Sequence, residues 1–180
     1  MKKILAITLL ILSATNAQAG ALSNYWENLK TNTRDAWNCG SYELLVPVNI
    51  WHNRWAYDQE SIDRYNEMPW GAGLGRGIWK GNEWHGLYFM VFKDSNYREQ
   101  TIGGYAYVYN WGLTESNNLK AGIGYTLSLT QRHDYTYIPV PLPLPLASIS
   151  YKRAAIQAAY VPGLGKNDGN VLFTWFKWTF

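Results

Sequence analysis

Most of this sequence beyond residue 41 alternates between apolar and small or polar residues with the period of a β-strand. The clearest stretch, 101–112, places aromatic side chains on one face and small or polar ones on the other: Tyr105, Tyr107, Tyr109 and Trp111 against Gly104, Ala106, Val108 and Asn110. Such alternation is typical of a transmembrane β-barrel. It predicts eight strands, at about 42–57, 69–79, 84–93, 101–112, 119–130, 144–151, 155–162 and 170–180.

The connections between these segments alternate in length. Those near 80–83, 113–118 and 152–154 are short, whereas those near 58–68, 94–100, 131–143 and 163–169 are mostly longer and more polar. This asymmetry is typical of periplasmic turns and extracellular loops. The sequence therefore predicts an all-β fold: an eight-stranded antiparallel outer-membrane β-barrel over 41–180, preceded by an amphipathic α-helix within 20–40 at its periplasmic edge.

The first residues have the pattern of a secretory signal peptide, predicted over 1–19. Lys2 and Lys3 form a basic start, Ile4 to Leu12 an apolar run, and Ala17-Gln18-Ala19 a small-residue cleavage site. A membrane anchor is the alternative, but the apolar run is shorter than the ~20 residues that a spanning helix needs. Charged residues make up 16% of the chain against about 25% in an average soluble domain, which favours a membrane-interface protein.

Several classes of function are disfavoured by composition. The net charge is only +3 and the sequence shows no basic stripe, so nucleic-acid binding is not expected. Three scattered His residues and one Cys show no ligand spacing, so no metal is predicted, and no cofactor either.

The predicted lumen is lined by unusually small residues. Trp84, Tyr88 and Met90 of the third strand add apolar side chains to the inward positions Gly71, Gly73, Gly75, Gly77, Gly104, Ala106, Gly122 and Gly124. A lumen of this kind can hold an alkyl chain. Alternatively, the glycines only relieve crowding and strand curvature. The residues alone leave both interpretations open.

Prolines stand in or beside strands at positions where a barrel normally needs backbone donors. Pro47 and Pro69 mark the early strands, and Pro145 and Pro162 the late ones. Because proline cannot donate to the ladder, neighbouring strands cannot pair fully there. Facing groups of this kind can form lateral gates for lipid, or they can simply mark strand ends.

Three residues with catalytic side chains are predicted at the extracellular rim. His52 lies toward the outer end of the first strand, and Asp94 and Ser95 open the second long loop. A hydroxyl, an imidazole base and a carboxylate are the ingredients of acyl transfer. Solvated loop residues of the same types are the alternative explanation.

Several blocks of this sequence, in one order, resemble the lipid A palmitoyltransferase (PagP) family. The resemblance covers nearly all of the chain from the helix to Phe180, and its blocks are 50–58, 63–67, 69–71, 84–88, 92–95, 137–139, 144–148 and 160–163. It implies an outer-membrane acyltransferase of a Gram-negative bacterium, acting as a monomer among outer-membrane lipids. Such an enzyme moves a palmitoyl chain from the sn-1 position of a phospholipid donor to a hydroxyl of a lipid A acceptor.

The resemblance also assigns residues. The family's required His, Asp and Ser fall on His52, Asp94 and Ser95, and we hypothesise that His52 is the base while the other two position groups and stabilise charge. The lipid gates map onto Pro47 with Pro69 and onto Pro145 with Pro162, and the acyl-chain pocket fits the lumen around Trp84, Tyr88 and Met90.

One departure from the family pattern concerns chain length. The glycine at the floor of the family's acyl-chain pocket aligns with Ala106. An added methyl group there predicts a palmitate preference that is loosened or shifted about one methylene shorter.

Two other classes of protein fit the same pattern. A structural or adhesive outer-membrane barrel has the architecture without the chemistry, and fold alone does not separate it from an enzyme. A soluble lipocalin-like carrier is disfavoured by the outward Tyr and Trp residues.

Overall fold

The computed structural model describes residues 16–163 and 165–180. The predicted signal peptide, 1–19, lies outside the described residues except for its last four. Eight antiparallel strands form a closed barrel in sequence order, in which β8 pairs with β1, and this confirms the predicted fold. The strands are β1 Ser41–His52, β2 Gly71–Lys80, β3 Glu83–Lys93, β4 Glu99–Gly112, β5 Leu119–Arg132, β6 Val140–Tyr151, β7 Ala154–Val161 and β8 Val171–Thr179.

The connections divide the barrel into two unlike ends. The short-turn rim carries the connections 81–82, 113–118 and 152–153 together with both ends of the barrel, where the backbone N–H of Phe180 donates to the carbonyl of Tyr42. The long-loop rim carries 53–70, 94–98, 133–139 and 162–170. The sequence overestimated β1, which ends at His52 rather than near 57. The Asn53 side chain accepts from the Trp55 N–H and starts a turn, as Asn commonly does.

Helix α1, Asn16–Cys39, precedes the barrel and is longer than predicted, since it begins before residue 20. It packs against β2 and β3, with Lys80 Nζ 2.7 Å from an Asp35 carboxylate oxygen. The outward-facing His85 is only 2% exposed in this part of the wall and is hydrogen-bonded to Tyr105. Within the described residues, neither α1 nor the short helix α2, Gln59–Arg64, combines the length and apolar character that a membrane crossing requires.

The outer surface of the barrel is apolar, with aromatic residues toward both rims. Exposed aliphatic side chains occupy the middle of the strands, among them Leu74, Ile123, Leu129 and Ile156. Exposed aromatic side chains lie near the short-turn rim at Tyr42, Trp79, Trp111, Tyr151 and Trp178, and near the long-loop rim at Trp51 and Trp70. An apolar band between two aromatic girdles is the surface that a bilayer selects.

An ion pair lies inside the barrel near the short-turn rim. The ammonium of Lys177 donates to Glu43 Oε1 at 2.7 Å, and it also lies 3.6 Å from the ring centroid of Trp84. Both charged side chains are almost fully buried. A buried ion pair loses hydration, but removing one partner leaves the other charge uncompensated, which is costlier.

We therefore expect Glu43→Ala to destabilise the folded barrel by about 3–5 kcal/mol. The double variant Glu43→Met/Lys177→Met should lie much closer to the unchanged protein, because it leaves no buried charge. Urea unfolding of the barrel reconstituted in lipid vesicles measures the free energy of unfolding of the single and the double variant. A double variant as unstable as the single one contradicts this account.

Candidate active site

A β-bulge directs the His52 side chain into the barrel. Inward positions of β1 run through Glu43, Leu45 and Pro47, and the register with β8 then shifts between Pro47 and Asn49. After this shift the inward positions are Ile50 and His52, which is 2% exposed. Strict alternation from Glu43 would point residue 52 outward, so the bulge aims the imidazole, a common use of bulges near sites.

His52 connects two other side chains at the long-loop rim. Its Nε2 lies 3.0 Å from the Ser95 hydroxyl oxygen, and its Nδ1 lies 3.0 Å from Glu67 Oε1. A carboxylate at Nδ1 selects the tautomer that carries the proton there, which leaves Nε2 free to accept the hydroxyl proton. Hydroxyl, imidazole and carboxylate thus have the order of a catalytic triad.

Glu67 reaches His52 because its segment occupies the place beside β1 that β2 leaves open. The ladder between β1 and β2 ends at Leu45 and Gly73, and beyond it the Ile50 N–H donates to the Glu67 carbonyl at 2.9 Å. The His52 N–H donates to Glu67 Oε1 at 3.1 Å, so backbone and side chain both fix the carboxylate.

Arg54 holds the charge of Glu67. Its two terminal nitrogens donate to the two carboxylate oxygens, each at 2.6 Å, in a bidentate pair. This pairing with Arg54 lowers the pKa of the Glu67 carboxyl to about 2. Glu67 is therefore ionised at any neutral or mildly acidic pH and can stabilise a protonated His52.

Two tyrosines of the first long loop enclose the imidazole. The Tyr65 ring stacks on His52 at 4.8 Å between centroids, and the Tyr57 ring meets it edge-on at 4.9 Å. Tyr57 also donates its hydroxyl to the Gly169 carbonyl of the last long loop, and burial raises its pKa to about 12. The imidazole of His52 is therefore enclosed by an aromatic ring on two sides.

Asp94 shapes the loop that carries Ser95. It is 1% exposed, and its Oδ1 accepts from the N–H groups of Asn96 and Arg98 at 2.8 and 2.9 Å. Its Oδ2 lies 3.6 Å from an Arg132 nitrogen. The carboxylate that bonds to His52 is thus Glu67, and the contacts of Asp94 suit a residue that positions Ser95.

The predicted gate prolines lie where two strand ladders stop short of the long-loop rim. The β1–β2 ladder ends below Pro47 and Pro69, both buried. The β6–β7 ladder ends at Leu146 and Ala159, with the exposed Pro145 and Pro162 just beyond. The strand ladders are therefore interrupted on two sides of the barrel, at the prolines that the sequence singled out, and on the β1–β2 side the Glu67 segment lies in the interruption.

The predicted acyl-chain residues all lie in the barrel core. Ala106, Trp84, Tyr88 and Met90 are each less than 8% exposed. Above them, Phe92 stacks on Phe173 with 4.8 Å between centroids, so an acyl chain that reaches Ala106 has to pack along or displace these rings.

The glycines of β2 make room for large interior side chains. A Cβ atom at Gly73 would collide with the Met90 side chain, and one at Gly77 would lie 2.5 Å from both Trp84 Nε1 and Glu43 Oε1. These contacts support the interpretation that glycine relieves crowding at these two positions. The acyl-chain pocket itself stays a prediction.

Sequence reasoning missed Glu67, Arg54 and the two tyrosines. All four belong to the first long loop, and no periodic pattern connects a loop residue to a strand end. The only available signal was their presence within two of the blocks shared with the family. Among the described residues, no group of three or more His, Cys, Asp or Glu side chains is arranged to hold a metal ion.

Comparison with known proteins identifies what the chain is similar to. Residues 32–177 match a family model described as "Antimicrobial peptide resistance and lipid A acylation protein PagP". A protein of Pectobacterium atrosepticum named lipid A acyltransferase PagP is 47% identical over 86% of this chain and 72% of its own length. One of the same name from Dickeya chrysanthemi is 45% identical, over 94% of this chain and 88% of its own.

A further relative and a solved structure are also similar to this chain. A lipid A acyltransferase PagP of Yersinia pseudotuberculosis is 49% identical over 91% of this chain and 81% of its own length. The crystal structure of Neisserial surface protein A matches 77% of this chain and 95% of its own, with 13% identity and a TM-score of 0.42.

Proposed function

Because this chain belongs to the PagP family of lipid A acyltransferases, we propose that it moves a palmitoyl chain from the sn-1 position of a phospholipid to a hydroxyl of lipid A. The observation that carries the proposal is the Ser95–His52–Glu67 arrangement, with both hydrogen bonds at 3.0 Å. A non-catalytic barrel has no need of a buried imidazole held between a hydroxyl and an ionised carboxylate.

His52 acts as the general base in this proposal. As a hydroxyl attacks the ester carbonyl of the donor, Nε2 removes its proton, and the resulting imidazolium returns the proton to the departing lysophospholipid oxygen. One ester bond forms and one breaks. Glu67 keeps Nδ1 protonated and stabilises the imidazolium charge.

Two routes use the same base. In the direct route the attacking hydroxyl belongs to lipid A, and Ser95 positions groups and stabilises charge. In the covalent route Ser95 attacks the donor first and lysophospholipid leaves; the lipid A hydroxyl then loses its proton to His52, attacks the Ser95 ester and releases the serine hydroxyl. The Ser95 hydrogen bond to Nε2 supports this route. Intact-protein mass spectrometry after incubation with donor alone separates them: a gain of one acyl group identifies the covalent route, and an unchanged mass with full transfer activity the direct one.

We place the protein in the outer membrane as a monomer, with its chemistry at the extracellular rim. The exposed apolar band, the aromatic girdles and the closure of the barrel within one chain support this placement. Because the long loops of outer-membrane barrels are extracellular, the rim that carries His52, Asp94 and Ser95 would face outward. The two places where the strand ladders are interrupted would then admit the donor and the acceptor from the bilayer.

The donor position is tested with phospholipids labelled in one chain. Purified enzyme in mixed micelles should transfer label to lipid A from phospholipid labelled at sn-1 and leave label at sn-2 in the lysophospholipid. Transfer from sn-2 alone contradicts the proposed donor position.

Replacing Ala106 with Gly should lengthen the preferred acyl chain by about one methylene, because packed apolar sites respond to single carbons. Ala106 is 1% exposed and pairs across the wall with Gly86 and Thr126. Competition between donors of different chain length measures the shift, and Ala158→Gly on an outward-facing position is the matched control. A sharp sixteen-carbon preference that is the same in the wild type and in Ala106→Gly contradicts the role of Ala106.

A further inference from the structure

A polar cleft opens between three loops of the long-loop rim. It has a volume of about 520 Å³ and is lined by Arg64, Asn96, Tyr97, Arg98, His133 and Asp134. A volume of this size lies within the ~300–1,000 Å³ of small-molecule sites. None of these residues takes part in the hydrogen bonds between Ser95, His52 and Glu67.

The cleft is directly beside the proposed active site. Asn96 follows Ser95 in the chain, and the Asn66 N–H donates to the Ser95 carbonyl at 2.8 Å, which joins the first and second long loops. A molecule that places one group in the cleft can therefore extend another part to Ser95 and His52.

The cleft carries more positive than negative charge. Among the described residues, the guanidinium groups of Arg64 and Arg98 have no carboxylate within ion-pairing distance. The one acidic side chain of the lining, Asp134, is 2.5 Å from a nitrogen of Arg132 and is thus already compensated. The cleft therefore has a net positive charge, which favours the binding of an anion.

Both arginines stand on ordered backbone. Arg98 is fixed by its N–H to Asp94 Oδ1 and by its carbonyl, which accepts from the Asp94 N–H at 2.7 Å. Arg64 ends helix α2, and its guanidinium lies 5.7 Å from the centroid of the Tyr65 ring. The backbone that carries both arginines is therefore fixed before a ligand arrives, so that binding has to order only their side chains.

We propose that this cleft binds the phosphate of a lipid head group through Arg64 and Arg98, with His133 and Asn96 as further donors. Guanidinium groups match phosphate oxygens in both geometry and charge. The cleft exceeds the size of one phosphate, so part of the attached sugar or glycerol enters as well. The inference rests on the proposed function, since lipid A and phospholipid donors both carry phosphate next to their acyl chains.

Native mass spectrometry of the full-length barrel in detergent micelles tests the proposal without requiring catalysis. The probes are phosphorylated lipid A, enzymatically dephosphorylated lipid A, phosphatidylglycerol and diacylglycerol. The double variant Arg64→Gln/Arg98→Gln is compared with Arg153→Gln, which removes an exposed charge at the opposite rim. All three positions are exposed, so folding is expected to be retained, and circular dichroism checks this.

We expect the double variant to lose about tenfold or more in affinity for a phosphate-bearing lipid, because two charge-assisted hydrogen-bonding groups are removed. Loss for lipid A assigns the site to the acceptor, and loss for phosphatidylglycerol assigns it to the donor. Binding of the phosphate-free lipids, and all binding by Arg153→Gln, should be unchanged. Equal affinity of wild type and double variant for all four lipids, or equal losses with and without phosphate, overturns the proposal.

Transfer activity measured in the same preparation separates this inference from the proposed function. A wild-type protein that discriminates phosphate but transfers no acyl chain contradicts the acyltransferase and leaves the cleft intact. A wild-type protein that transfers acyl chains, with the double variant binding all four lipids as tightly as the wild type does, contradicts the cleft alone.

Discussion

Replacing His52 with Ala is expected to lower kcat for acyl transfer by about 10²–10⁴-fold, the usual contribution of a positioned general base. The imidazole is buried, bonded to Ser95 and Glu67, and packed between two tyrosine rings, so no neighbouring group replaces it. Ser95→Ala should be comparably impaired, and the double variant no worse than the single ones, because groups that act as a unit are not additive.

The controls for this prediction are a His and a Ser at the opposite rim. His85→Gln keeps a hydrogen-bonding group beside Tyr105, and Ser116→Ala changes an exposed turn residue, so both should retain activity. Steady-state transfer by purified protein in mixed micelles gives kcat and KM, and circular dichroism reports folding. Folded His52→Ala with wild-type kcat excludes the proposed base.

Replacing Glu67 with Gln is expected to lower kcat by up to about 10⁴-fold, the effect of neutralising the carboxylate of a Ser-His-Asp triad. The amide removes the charge that stabilises the imidazolium, and its NH₂ group cannot accept from Arg54. If the amide turns its NH₂ toward His52, the imidazole is forced into the wrong tautomer. KM should change little, because both carboxylate oxygens of Glu67 are bonded to His52 or Arg54 and its proposed role is exerted through His52.

Two readouts distinguish this positioning role from a merely structural one. The ¹⁵N NMR signals of the His52 ring report which nitrogen carries the proton, and they should change in Glu67→Gln. Glu67→Asp, which keeps the charge, should recover part of the activity. A Glu67→Gln enzyme with normal His52 signals and normal kcat contradicts the proposed role of Glu67 in orienting His52. If Glu67→Gln instead impairs only folding, Glu67 stabilises the loop and has no part in the chemistry.

The strands were predictable because their signal is local. Alternation in segments such as 101–112 follows from a wall with a lipid side and an inner side, and the structure places strands at all eight predicted segments. The end of β1 was missed because Asn53 starts its turn with its own side chain, a choice that periodicity does not reveal.

The site was predictable only in part, because its geometry depends on non-local pairing. His52 and Ser95 were singled out by residue type and rim position, and the structure brings them within 3.0 Å. The inward direction of His52 depends on a bulge, and the position of Glu67 depends on where β2 stops pairing with β1. Residue patterns predict neither the bulge nor the end of the β1–β2 ladder. The contact of Glu67 with His52 could therefore be recognised only once the fold was known.

The most direct test of the central claim is mass spectrometry of lipid A from cells that express this protein, beside cells that express His52→Ala. We predict that wild-type protein adds the mass of one acyl chain, of palmitoyl length or slightly shorter, and that His52→Ala adds none while still inserting as a folded barrel. Unmodified lipid A in cells with folded wild-type barrel, or the same added chain with His52→Ala, would contradict an acyltransferase whose base is His52.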